Sequence, residues 1–288
     1  MYLQPATLRA TVFGTLLIGV LVPTATAGEL LGAEVWGQAR LTSVDRLTAH
    51  QTTIGFFGTE GPWGLEYNID TDTLFLIDGS PPGKGLYTVN RTTGAASRVG
   101  VAGALGDLDP RGLAWDSAAG VMYSTRYDTN QILSLDLTTG AVSMSVPMVN
   151  FGAVKALAYN GADGQMYAIA NVLVGDTGRH LIRFDPTTGI ASNVIDLGSG
   201  TDSNFRGLTW DPDSQVLWTH NNSTGFLVAL DPFDGTVLPI GNTQQSGASG
   251  TGLNGLAYVV PSPSGLMAMV FAGSLGAARR CRTPGRTV

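Results

Sequence analysis

The chain has 288 residues, of which 13% are charged and 39 are glycine, enough for one large closed domain or two ordinary ones, with the glycine content of a turn-rich β-protein. Formal net charge is −6, but five of the 16 bases sit at the two ends (Arg9, Arg279, Arg280, Arg282, Arg286) while all 22 acids lie between them, so the body is strongly acidic and is not expected to bind nucleic acid or anionic membrane surfaces. Cys281 is the single cysteine, which excludes an intramolecular disulfide and leaves stability to the core.

Residues 1–27 read as a signal peptide. A short start with Arg9 is followed by an apolar run from about Val12 to Val22, then by the small-residue pattern Ala25-Thr26-Ala27 before Gly28. The run is shorter than the ~20 residues a membrane-spanning helix needs.

The body, residues 28–260, is a repeat. "GLEYN" begins at Gly64, "GLAWD" at Gly112, "ALAYN" at Ala156, "GLTWD" at Gly207 and "GLAYV" at Gly255, at spacings of 48, 44, 51 and 48. A period of that size means propeller blades or a solenoid. Each unit opens on a strand with Leu and an aromatic two residues on, hence on one face: Leu65/Tyr67, Leu113/Trp115, Leu157/Tyr159, Leu208/Trp210, Leu256/Tyr258. A polar turn leads to a second strand centred on Phe75, Tyr123, Tyr167 or Trp218. A third strand then ends in "NRTTG", "DLTTG", "DPTTG" or "DPFDG", and a fourth begins. In that turn the Asx side chain can bond the backbone two residues on, and Gly94, Gly140, Gly189 and Gly235 supply positive φ. Every piece is strand-like, which excludes helical repeats.

After Gly255 there is room for one strand before the tail, and the N-terminal side of the body supplies the missing three. "AEVWG" (Ala33–Gly37) reads as a second strand with its aromatic at Trp36, "RLTSVD" as a third, and "DRLTAHQTTIGFFG" as hairpin and fourth strand, with Ala49 in the glycine position. The predicted fold is therefore an all-β propeller of five four-stranded blades, one of them closed by pairing the two ends of the domain, which removes open sheet edges.

Residues 261–288 hold Pro261 and Pro263, an apolar run from Leu266 to Ala278, and then Arg279, Arg280 and Arg282. Positive charge directly after an apolar run is a stop-transfer arrangement. This tail resembles the PEP-CTERM sorting signal of exported bacterial proteins, with Ser262 where that signal has Glu, and the core from Ala33 to Val260 resembles the repeat propellers that carry such tails. The resemblance implies handling by an exosortase-type membrane protease, membrane association only through the tail before processing, and a final place at the cell surface or in the extracellular matrix. The repeat motifs specify architecture and not activity.

Candidate site residues come from repeat positions that carry unusual chemistry. The residue before each unit's opening Gly or Ala is Trp63, Arg111, Lys155, Arg206 or Asn254. In a propeller these five would ring one channel mouth, where three bases in an acidic body could bind an anionic ligand such as a uronic acid or phosphate; the alternative is that they bond free carbonyls at the strand ends. Glu66 stands where the other units have Ala114, Ala158, Thr209 and Ala257. It is either the candidate general acid or base, or half of an ion pair with Arg111 or Arg206. Glycosidase chemistry would need a second carboxylate. The doublets Asp70/Asp72, Asp107/Asp109 and Asp211/Asp213 fall mostly in turns and lack a calcium loop. His50, His180 and His220 occupy unrelated repeat positions, so no metal or cofactor is expected. The resulting expectation is a non-catalytic surface module that binds anionic glycans; the alternative is a propeller-type lyase or hydrolase with an axial active site.

Overall fold

The computed structural model describes residues 28–35, 39–172, 179–197, 204–243 and 252–260. The expected signal peptide (1–27), Trp36, and the tail with Pro261, Pro263, Arg279, Arg280 and Arg282 lie outside the described residues.

The described chain is twenty strands in five four-stranded antiparallel sheets arranged as a β-propeller. The first three strands are β1 (Glu29–Glu34), β2 (Arg40–Val44) and β3 (Gln51–Phe56). Blade one is β4 (Pro62–Asn68), β5 (Thr73–Asp78), β6 (Gly85–Val89) and β7 (Ala96–Arg98). Blade two is β8 (Pro110–Asp116), β9 (Val121–Arg126), β10 (Gln131–Leu135) and β11 (Val142–Pro147). Blade three is β12 (Phe151–Asn160), β13 (Gln165–Val172), β14 (His180–Asp185) and β15 (Ile190–Asp196). Blade four is β16 (Phe205–Asp211), β17 (Val216–Asn221), β18 (Phe226–Leu230) and β19 (Val237–Asn242). Strand β20 (Leu253–Val259) completes the closing blade in the order β20-β1-β2-β3. The ring is thus closed by strands from opposite ends of the domain, as the repeat predicts.

One register differs from the prediction. The second strand of the closing blade is Glu29–Glu34, not Ala33–Gly37. Leu31 pairs with Ala257, as Phe75 pairs with Glu66, Tyr123 with Ala114, Tyr167 with Ala158 and Trp218 with Thr209. Leu31, fully buried, therefore fills the slot that is aromatic in the other four blades. The continuous run of buried residues in "ELLGAE", packed on both faces of the strand, outweighs the single aromatic further on.

Strand alternation gives the core its form. In each second strand successive side chains face opposite neighbours: Leu74 and Leu76 pack toward the closing blade, and Phe75 and Ile77 toward blade two. The result is five separate hydrophobic layers, one between each pair of adjacent blades. The turns follow the predicted chemistry. The Asp136 carboxylate accepts the N–H of Thr138 and Thr139, Asn90 Oδ1 accepts those of Thr92 and Thr93, and Asp45 Oδ1 those of Leu47 and Thr48. Ala49 adopts φ 61°, the conformation of the glycines it replaces.

At the axis the inner strands come closer than side chains allow. A Cβ on Gly207 would lie 2.9 Å from Leu256 N, and one on Gly255 would lie 2.5 Å from Leu65 N. Gly207 also sits at φ 61°. In blade three the left-handed residue is Ala153 (φ 51°) instead, held by its N–H donating to Asn130 Oδ1 at 2.8 Å. Gly112 and Gly207 hold that conformation in blades two and four, while in blade three Ala156 stands in the slot that is glycine in the other units.

Candidate functional site

The five inner strands β4, β8, β12, β16 and β20 run the same way around the axis, so their first residues define one mouth and their last residues the other. Every one of the five carries a β-bulge near its start, between Pro62 and Gly64, Arg111 and Leu113, Gly152 and Ala156, Arg206 and Leu208, and opposite Ala33/Glu34 in β20. A bulge re-aims the side chains beside it. Its repetition in all five blades brings Trp63, Arg111, Lys155, Arg206 and Asn254 together.

Arg111 stacks on Trp63, its guanidinium carbon 3.3 Å from the ring centroid, and Arg206 approaches the same ring at 4.9 Å. Tyr127 lies 5.4 Å from Arg111 and 5.6 Å from Lys155 Nζ. Arg111 donates through Nε and Nη2 to the two carboxylate oxygens of Asp109, at 2.9 and 3.1 Å. Arg206 donates to Asn204 Oδ1 at 3.3 Å and reaches Asn254 Oδ1 at 3.5 Å, where Asn222 Nδ2 also donates at 3.1 Å. With its oxygen so engaged, Asn254 keeps its buried Nδ2 without an acceptor among the described residues. His220 is held by Asn222 and Thr243, and its burial lowers its pKa, favouring the neutral ring.

Two residues of this mouth were not visible in the repeat. Arg179, just before β14, bonds Asn171 Oδ1 and adds its field to Lys155 and Arg206. Tyr127 follows β9. Both lie between second and third strands, where the units share no motif, so no alignment of the repeats marks them.

The mouth is electrostatically loaded. Lys155 is pulled down to about 8, by burial first and then by the positive charges of Arg206, Arg179 and Arg111 in that order. Burial, then Arg111 and Arg179, likewise lower Arg206. Four cations share this space, and Asp109 is the acid paired with one of them among the described residues.

Glu66 is elsewhere. It lines a pocket of about 390 Å³ at the opposite mouth, enclosed by protein yet partly open to the pocket. Burial pushes its carboxyl well above the usual carboxylate range, opposed by backbone N–H donation from Tyr67 and Trp115. The expected ion pair with Arg111 or Arg206 does not form: Arg111 pairs with Asp109, and Arg206 bonds two asparagines. The inner strand, rising ~3.3 Å per residue, separates these positions along the channel. Five of the six acids in the doublets are engaged with protein donors, Asp109 through Arg111 and Asp213 through Tyr258. Asp70 accepts Trp115 Nε1–H, Asp72 accepts Tyr67 Oη–H and pairs with Arg91, and Asp211 pairs with Arg46. No group of three metal-ligating side chains converges among the described residues.

No protein-family model matches the chain and no curated protein matches it. Among solved structures, the chain is similar to a chain of a nidogen/laminin complex, with a TM-score of 0.52 at 16% identity, covering 81% of this chain and 99% of that one. It is also similar to the Myxococcus xanthus glutaminyl cyclase (TM-score 0.44, 14% identity, 77% and 76% covered) and to a streptogramin B lyase (0.41, 14%, 66% and 57%). These propeller-type neighbours include binding proteins and enzymes, and at such identities the likeness concerns fold alone.

The charge crowding gives a direct test. Lys155 should titrate near pH 8 by carbon NMR of labelled lysine, and Arg206→Ala should move it upward. A titration at the ordinary value of 10.5 would contradict the description of this mouth.

Proposed function

We propose that the protein is an exported, non-catalytic binding module of the cell surface or extracellular matrix, and that its cationic mouth takes an anionic glycan. The observation that carries this reading is the gathering of Arg111, Lys155, Arg179 and Arg206 around Trp63 and Tyr127, with Asp109 as the paired acid and the Asn254 amide offering a buried donor. Arginine suits bidentate carboxylate recognition, and an aromatic ring suits the apolar face of a sugar. An arriving carboxylate would relieve the mutual repulsion of the cations, which favours binding without any change in fold.

The lyase or hydrolase reading needs Glu66 to meet the basic residues in one pocket. It lies at the other mouth instead, so the geometry favours the binding reading. Export rests on the leader at 1–27 and the tail at 261–288, and the tail's resemblance names an exosortase-type protease as the processing partner.

Purified residues 28–260 should bind polygalacturonate and not neutral dextran. Affinity should fall with salt and, because the bound anion favours charged Lys155, should fall as pH rises through about 8. Arg111→Ala combined with Arg206→Ala should weaken binding at least about tenfold, equivalent to ~1.4 kcal/mol, with little change in thermal midpoint. Binding as tight as that of the unaltered protein would overturn the proposal; a large loss of stability instead would assign both arginines to the fold. In cells, removing residues 261–288 should shift the protein from the envelope to the periplasm or medium, and unchanged fractionation would sink the sorting role.

A further inference from the structure

The second mouth, at the far ends of the inner strands, has a different chemistry. Its pocket is walled by one aromatic from each blade, Tyr67, Trp115, Tyr159, Trp210 and Tyr258, with Glu66 one position further inside the channel. These are the aromatics that follow each unit's Leu by two residues, a spacing that also serves the inter-blade core. Their convergence on one cavity is a second use of the same repeat.

Two observations decide what such a ring would hold. The polar edges of four of the five rings are already engaged: Tyr67 Oη donates to Asp72, Trp115 Nε1 to Asp70 and Tyr258 Oη to Asp213, while Tyr159 bonds Asp116. The rings therefore present mainly π surface, beside which Ser117 and Gln215 also line the pocket. The rim behind the rings is acidic, and cations are drawn to it. Arg91 lies 5.3 Å from the centroid of Tyr67, and Arg46 lies 5.1 Å from that of Tyr258. Among the described residues, none of those lining the pocket is cationic. Glu66 accepts the backbone N–H groups of Tyr67 and Trp115, and burial disfavours its ionised form.

We propose that this pocket binds a small quaternary or methylated ammonium cation, held over the aromatic faces and against the Glu66 carboxylate. A quaternary cation needs no hydrogen-bond acceptors and a methylated one needs fewer than a primary ammonium, which has three donors to satisfy. It is attracted by the negative faces of Trp and Tyr, and it supplies the charge that Glu66 lacks. The proposal is independent of the anionic-glycan reading, which concerns the opposite mouth.

The test uses choline chloride as probe, followed by calorimetry and by tryptophan fluorescence, since Trp115 and Trp210 stand in the wall. Sodium chloride at equal ionic strength is the blank. The neutral isostere 3,3-dimethylbutan-1-ol has the same shape without the charge. Choline should give a saturable response at millimolar concentration or below, and the isostere should bind at least about tenfold more weakly. Glu66→Gln should weaken choline by at least about tenfold. No saturable response to choline, equal affinity for the isostere, or unchanged affinity in Glu66→Gln would each overturn the proposal. The isostere comparison needs only the unaltered protein, so it decides the matter even if the variant fails to fold.

Discussion

Close approach of the five inner strands at the axis is the constraint on which this structure depends. Backbone lies against backbone from one blade to the next, with Gly64 facing Gly112, Gly207 facing Gly255 and Gly255 facing Leu65. Interiors are close-packed, so even one added methyl at such a contact must displace its neighbour. The last of these contacts joins the two ends of the repeat array, and the pairing of β1 with β20 fastens the same join by hydrogen bonds.

The same constraint makes the two mouths. Narrowing the axis leaves little room inside the channel, so side chains of any size must emerge at its ends. At the starts of the strands the bulges turn out Trp63, Arg111, Lys155, Arg206 and Asn254. At the ends the aromatic ring opens around Glu66. One mouth carries cations close enough to depress one another's proton affinity, and the other carries aromatics backed by carboxylates. A nearly five-fold backbone thus presents two chemically opposed surfaces, because the side chains at the repeat positions are not themselves repeated.

Much of this was legible in the sequence, since the repeat motifs have local causes. The Asx-to-glycine turns are set by backbone hydrogen bonds within five residues, and the inner strands by a two-residue alternation, so aligning the units locates both. The ring at one mouth followed from the same alignment. What was not legible depends on contacts between units. Leu31 takes an aromatic slot, a choice made by strand register rather than residue type. Tyr127 and Arg179 join the cationic mouth from connections that have no repeat to align. From the sequence Glu66 is either a general acid or base or an ion-pair partner of Arg111 or Arg206, yet the channel's length parts it from both arginines. The two-residue spacing places each aromatic on the same strand face as its Leu, and only the closed ring shows that the five aromatics surround a pocket.

The central claim, that axial closure depends on residues without side chains, is tested most directly by thermal unfolding of Gly207→Ala followed by circular dichroism. The added methyl meets Leu256 N at 2.9 Å in a left-handed backbone conformation, which costs about 1–2 kcal/mol for the conformation alone. The variant should lose about 2 kcal/mol or more, with a midpoint lowered by roughly 4 °C or more. A midpoint equal to that of the unaltered protein would contradict it.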